Sequence, residues 1–341
     1  MKKKNKNLYL TIFTFLASFI IIDFLLGVFY TPRVDHYRQP HDFYHHELVP
    51  NLSNLTINWG PYYYKISTNS LGFRDSEPRV IKKKSEKHRI LLMGDSFTEG
   101  LGVSWKDSFA GIIQNGLMHK NIDVLNAGTI GYSPKLYLLK TDYLINYQNI
   151  KIDQLLVFID RSDIDNEHLY EDYNSNSKSI YASLLQKLSK NSFFLGKMRQ
   201  PTQLNYNNQG VPFSLNLKKN YKPIKGDWSV DNKKVEKGFN LATKNILNLL
   251  KICKENNIKM TIIIYPWQRD IGKKNLQERV WRGFSIKNNI NLISLFNIFD
   301  DVCKKNGQNC KNLFIPSDVH WSPKGHEIVA NELLKYLNKD F

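Results

Sequence analysis

Cysteine is scarce. Three residues in 341 are too few for a disulfide framework, and no Cys-x-x-Cys pair or His/Cys cluster has the spacing of a structural zinc site. No metal is expected to build this domain. Acids are also under-represented, 31 against 48 lysines and arginines, which gives a net charge of +17. Charged residues still make up 23% of the chain, so it is neither a polytopic membrane protein nor wholly disordered. A compact basic stripe interleaved with aromatics is missing, and nucleic acid is not an expected partner. Lysine, asparagine and isoleucine are spread along the whole chain, as in products of AT-rich genes. The charge therefore reads first as composition, and second as affinity for an acidic membrane surface or an anionic glycan.

What is present begins with one long apolar run. Lys2, Lys3, Lys4 and Lys6 precede Leu8 to Tyr30, which carries a single charge, Asp23. As a helix, those residues reach about 34 Å, enough to span a bilayer's hydrocarbon core. The leading lysines favour an amino terminus held in the cytoplasm, with everything after Pro32 outside. The competing reading is a cleaved signal peptide, but its apolar core is normally shorter, and no clear small-x-small cleavage site precedes Thr31-Pro32. We expect residues 1–30 to be a signal anchor that holds the protein in the inner or plasma membrane by one pass. Without that segment the net charge is still +14, because it removes four lysines and one aspartate.

Residues 31–87 form a lead-in rich in His, Tyr and Pro, with short strand-like pieces such as Tyr64-Lys65-Ile66-Ser67. His45-His46 lacks a third ligand at useful spacing. From residue 88 the texture changes. Short apolar runs, Ile90 to Met93, Ile122 to Leu125, Leu155 to Ile159, Met260 to Tyr265 and Ile290 to Leu295, alternate with helical patterns near 105–119, 133–147, 235–255 and 323–337. Runs of this kind are the mark of strands buried on both faces. The expected fold is a three-layer α/β/α sandwich with a mostly parallel, flavodoxin-like sheet over residues 88–341. An insertion at about 167–235, with helices around Ser179–Leu188, interrupts the alternation. Cys303 and Cys310 bracket a polar, turn-like stretch and could close a small loop in an oxidising compartment. Cys253 sits on the apolar stripe of a helix and is expected to pack as a hydrophobe.

In an open parallel sheet, active groups collect at the carboxyl ends of strands, and three motifs fall there. Gly94-Asp95-Ser96-Phe97-Thr98-Glu99-Gly100 follows the first strand and would expose the Ser96 hydroxyl. Asn126-Ala127-Gly128-Thr129-Ile130-Gly131 follows the second and could present backbone amides to an anion. Ser317-Asp318-Val319-His320 precedes the last helix. There Asp318 can orient His320 and leave the other ring nitrogen as a base. Each motif alone also suits an ordinary turn. His326, by contrast, reads as a capping or packed residue. Trp267 and Trp321 suit either a sugar-lining or a core position.

In this order the three motifs resemble the blocks of the SGNH (GDSL) hydrolase superfamily of serine esterases and lipases. Thr68 to Arg74 resembles the segment before the first block in membrane-anchored bacterial members. The resemblance implies Ser96 as nucleophile, His320 as base, Asp318 as its acid, Gly131 in the oxyanion hole, and neither metal nor cofactor. It departs in two places. The family's usual Asp-x-x-His is Asp318-Val319-His320 here, and its Gly-x-Asn-Asp is Asp160-Arg161-Ser162-Asp163, which leaves the Ser162 hydroxyl as the candidate for the missing amide donor. One lost oxyanion donor can cost on the order of 3 kcal/mol in the transition state.

The expected function is an extracytoplasmic serine esterase acting on acyl esters, with O-acyl groups of envelope glycans as substrate. Two alternatives stay open. One is a glycan O-acetyltransferase fed by a membrane-bound acyl-transfer partner. The other is a catalytically degenerate protein that binds carbohydrate or acts as a scaffold.

Overall fold

The computed structural model describes residues 2–29, 37–59, 62–173, 192, 228, 232–305, 307 and 310–340. The chain divides into two units, residues 1–38 with 174–215 and residues 39–173 with 216–341. In the first unit, helix α1 runs from Lys2–Phe29. Its stretch Asn7–Leu26 has a mean hydropathy of 2.2 and no buried residues. That length and composition suit a membrane span, and a signal sequence equally.

The second unit is built on an eight-stranded sheet. Five parallel strands form its centre: β6 (His88–Met93), β7 (Ile122–Asn126), β8 (Gln154–Ile159), β9 (Lys259–Ile264) and β10 (Asn291–Ser294). Their order is β7-β6-β8-β9-β10. Counted from the first parallel strand this is 2-1-3-4-5, the flavodoxin-like arrangement, in which the chain reverses its direction of travel between strands one and three. The expected three-layer α/β fold is thus the one observed. The central apolar runs are buried: Ile90 to Met93 and Leu155 to Ile159 are fully inaccessible, as strands covered on both sides must be. The run from Ile290 to Leu295 is not, because β10 is the edge strand and its residues 291–294 are exposed or half-buried.

Alternate residues of these strands serve opposite faces. Ile90, Leu92, Val124, Leu156, Phe158 and Ile263 join one core with α3 (Phe109–Gly116), α8 (Phe296–Lys305) and α9 (Pro323–Leu337). On the other side, α4 (Pro134–Asp142), α5 (Arg161–Tyr170) and α6 (Lys233–Glu255) pack against one another. Among the described residues the remaining α-helices of this unit are α2 (Ser96–Glu99), just after β6, and α7 (Leu276–Asn288), between β9 and β10. Where a continuous helix is expected over 105–119, a 3-10 turn at Trp105–Asp107 comes first and Ser108 starts α3 by accepting the Gly111 amide. Cys253 is buried on α6. The insertion expected over 167–235 lies mostly outside the described residues, including its helix around Ser179–Leu188. Its two ends belong to α5 and α6.

The lead-in is not a separate appendage. Strands β3 (Leu55–Trp59), β4 (Tyr62–Thr68) and β5 (Arg74–Asp75) extend the sheet antiparallel from the β7 edge. Before them, β1 (Arg38–His41) and β2 (His45–Leu48) form a two-stranded sheet. Arg74 is buried and donates through its guanidinium to the carbonyls of Glu99, Gly100 and Val103. It thereby holds the lead-in to the turn that follows α2.

Cys303 and Cys310 are joined in a disulfide, and Cys253 is the free cysteine. Thiol titration of unreduced protein is expected to find no reactive thiol in the folded chain and one after denaturation, rising to three after reduction. Three thiols without reductant would contradict the bridge.

Candidate active site

The site begins where β6 ends. Register pairs Leu92 with Asn126 of β7 and with Leu156 of β8, so β7 ends at that level while β6 runs one residue and β8 three residues further. The crevice between β6 and β8 is the sheet's switch point, where open α/β sheets bind ligands. Gly94 is required there by space: a Cβ would lie 2.0 Å from Thr98 Oγ1 and 3.0 Å from Phe158 Cβ. Asp95 then caps α2 by accepting the Phe97 amide at 3.0 Å. Ser96 is the first residue of that helix and is 8% exposed.

The loop after β7 is fastened from several sides. Thr129 donates its amide to the Gly94 carbonyl, and Ile130 donates its own to Glu99 Oε2 at 2.8 Å. Asn126 bridges the Gly128 amide and the Thr98 carbonyl. Buried Lys140 on α4 donates to the Ala127 carbonyl at 2.9 Å. Burial pulls its ammonium down to about 8 against the opposing pull of Glu47 and Glu99. His46 of β2 lies 2.8 Å from the Ile130 carbonyl. Gly131 follows at φ +74°, a left-handed conformation that favours glycine.

The third contribution comes from a small hairpin. Phe314 and Trp321 pair as a bridge, the Ile315 amide donates to the His320 carbonyl, and the Asp318 amide donates to the Ile315 carbonyl. Between the bridge residues the chain turns at Pro316–Ser317, with Ser317 at φ +61°, and bends through 318–320. Asp318 Oδ1 accepts the His320 backbone amide across that bend, which leaves Val319 exposed and turns the carboxylate back toward its own imidazole. This bend is why an Asp-x-His spacing works here. His320 Nδ1 is 2.5 Å from Asp318 Oδ1, and its Nε2 is 2.8 Å from Ser96 Oγ, across 224 residues of sequence. His320 is 7% exposed.

Asp318 has partners beyond the imidazole. Its Oδ1 also accepts the His320 backbone amide, and its Oδ2 accepts the Trp59 indole N–H at 2.8 Å. Burial alone would raise this carboxyl. The bond to His320 and its charge, with the two further donors, outweigh that and hold it near about 2. Trp59 also meets the His320 ring edge-on at 5.4 Å. Nothing local in the sequence marks Trp59. It arrives only because the lead-in joins the sheet.

Ser162, the candidate oxyanion donor, is differently engaged. Its Oγ lies 2.6 Å from Asp160 Oδ1 and 3.2 Å from Asp95 Oδ2, and a hydroxyl has one proton to give. Ser162 thus bridges two buried carboxyls, and the Asp95 oxygen it reaches also lies 3.4 Å from Ser96 Oγ. Burial, then repulsion from Asp160, pushes Asp95 up to about 7, and burial raises Asp160 as well. Tyr265 donates to Asp95 Oδ1 at 3.1 Å, and Trp267 to Asp160 Oδ2 at 2.5 Å. Asp163 completes the group. It accepts from the Tyr137 hydroxyl and the Asp160 amide and is raised well above the usual carboxylate range by burial and its two neighbours. Like charges this close cannot all ionise.

The other singled-out residues have structural places. Trp321 is fully buried among Phe97, Phe109, Tyr265 and Phe299. His326 accepts the Phe109 amide at the start of α3, and burial drives it down to about 3, so it is neutral there. Trp267 is half-buried and lines a groove with Gln268, Arg269, Asp318 and Val319.

No family model matches this chain, and no curated protein matches it. Several solved structures resemble it. They include the acetyl xylan esterase AlAXEase, at 15% identity and TM-score 0.44, covering 73% of this chain and 98% of that one. The psychrotrophic esterase EstA from Pseudoalteromonas sp. gives 13% and 0.42 over 74% and 98%. A catalytic mutant of the acetylxylan esterase Axe2 from Geobacillus stearothermophilus gives 13% and 0.42 over 74% and 95%. The likeness is one of fold.

The buried carboxyl group sets a pH expectation. Folded Asp95 keeps its proton to about 7, whereas an unfolded aspartate releases it near pH 4. Between those values the native state binds more protons, so this group lowers stability as pH rises. Asp95→Asn is expected to gain stability relative to wild type from pH 4 to pH 7 in denaturant titrations. A difference independent of pH would contradict the assignment.

Proposed function

We propose that this protein is a serine esterase of the SGNH type. The observation that carries the reading is the hydrogen-bonded line Asp318–His320–Ser96, with 2.5 Å and 2.8 Å between successive partners. A nucleophile, a base within hydrogen-bond reach and a third group orienting that base are what acyl transfer from an ester requires.

In the proposed reaction Ser96 Oγ attacks the ester carbonyl carbon as His320 Nε2 takes its proton. Asp318 holds the ring by Nδ1 and stabilises the imidazolium that forms. The carbonyl oxygen becomes an oxyanion, for which we assign the backbone amides of Ser96 and Gly131. Ser162 is left out because its hydroxyl is committed to Asp160 and Asp95. As the tetrahedral intermediate collapses, His320 returns the proton to the leaving alcohol. Water then attacks the acyl-enzyme, His320 acting again as base, and releases the acid with Ser96 restored.

The finer proposal concerns place and substrate. Helix α1 would anchor the protein in the inner or plasma membrane with the second unit on the extracytoplasmic side. The disulfide is consistent with an oxidising compartment there. The ester would be an O-acyl group of an envelope glycan.

A short-chain ester assay on the full chain tests the reading. Ser96→Ala and His320→Ala are each expected to lower kcat by at least about 10³-fold, and Ser96→Ala to abolish labelling by a fluorophosphonate probe. Equal rates in all three proteins would reject it.

Trp59→Phe keeps an aromatic ring beside His320 and removes only the donor to Asp318. Hydrogen bonds to charged groups are worth about 1.5–3 kcal/mol, so kcat is expected to fall roughly tenfold or more, with KM little changed. An unaltered kcat would show that Asp318 needs no orienting donor.

A further inference from the structure

Arginine, tryptophan and lysine converge beside the Asp318 groove in a way that the acyl-transfer scheme does not use. The chain leaving β8 supplies Arg161, and the chain leaving β9 supplies Trp267 and the 3-10 turn Gln268–Asp270. The Trp267 indole is fixed by its bond to Asp160. The Arg161 guanidinium stands 4.3 Å over the Trp228 ring and 5.4 Å over that of Trp267, and the Arg269 guanidinium stands 4.8 Å over Trp267. Two depressions flank this stack. One is the groove of Trp267, Gln268, Arg269, Asp318 and Val319. The other is lined by Arg161, Trp228, Asp270, Lys273, Lys274 and the start of α7.

The charges along this path are unbalanced. Arg161 is paired with Asp270 at 3.1 Å, and Asp318 is occupied by His320 and Trp59. Arg269, Lys273 and Lys274 are exposed and form no ion pair among the described residues. A concave surface lined by one sign of charge concentrates the opposite sign. A guanidinium lying on an indole keeps its edge free for a bidentate carboxylate or phosphate.

We propose that the path from Asp318 past Trp267 and Arg269 to Lys273 and Lys274 is an anion subsite. The ester substrate is then a glycan that carries a carboxylate or phosphate on a unit neighbouring the acylated one. This rests on the esterase reading for the position of the scissile ester, whereas the subsite can be tested without catalysis.

The test uses the full chain carrying Ser96→Ala, in nonionic detergent, run through gels containing polygalacturonate, poly(glycerol phosphate) or neutral xylan. Retardation is expected with the anionic polymers and not with xylan, and the stronger of the two identifies the anion as uronate or phosphate. Adding Arg269→Gln, Lys273→Gln and Lys274→Gln is expected to weaken that binding at least tenfold. Removing as many positive charges elsewhere, by Lys244→Gln, Lys254→Gln and Lys287→Gln on α6 and α7, is expected to leave it within twofold. Three results would overturn the proposal: equal retardation by xylan, no loss in the groove variant, or an equal loss in the distant one. Failure of the esterase reading would show instead as no ester turnover by the wild type, with the gel result intact.

Discussion

One interaction ties the second unit's distant segments together: the His320 imidazole is held between the Asp318 carboxylate and the Ser96 hydroxyl, which lie far apart in sequence. His320 reaches both only because the β6 strand end and the Phe314–Trp321 hairpin arrive at the same sheet edge. Hydrogen bonds at such distances need side chains that do not wander. The packing explains why His320 does not: the Phe97 ring lies 4.8 Å from that of His320 and is itself backed by Trp321 at 4.9 Å. Trp59 fixes the far oxygen of Asp318.

The positions that form the site were legible because chemistry and topology coincide at strand ends. Apolar runs such as Ile90 to Met93 announce a strand buried on both faces, and a Gly-Asp-Ser or Asn-Ala-Gly segment directly after such a run must lie at the carboxyl edge. The Asp318-Val319-His320 spacing became intelligible through a bend, across which Asp318 Oδ1 accepts the His320 amide and meets its ring. Trp59 was not legible. Its role depends on an antiparallel pairing at the sheet edge, and short, mixed strands such as Leu55–Trp59 carry no periodic signal that says what they will pair with.

Ser162 shows a different limit. Its position in the third block could be read from the sequence, but its hydroxyl is governed by Asp160, which stands where the family pattern has glycine, and by Asp95 one loop away. Burial raises all three carboxyls, and the bonds to Asp160 and Asp95 hold that hydroxyl locally. A neighbour in space decided the matter, not a neighbour in sequence. The stacked arginines are similar: Trp228, Arg161 and Arg269 come from separate parts of the chain and meet only around Trp267.

The central claim is that His320 takes the Ser96 proton as the hydroxyl attacks an ester, and that the Ser96 and Gly131 amides meet the oxyanion that forms. The most direct measurement is a crystal structure of the protein after reaction with an alkyl phosphonate. The account predicts phosphorus bonded to Ser96 Oγ and one phosphoryl oxygen within about 2.7–3.1 Å of the Ser96 and Gly131 amides. A phosphonate attached to another residue, or one on Ser96 whose oxygens avoid both amides, would contradict it.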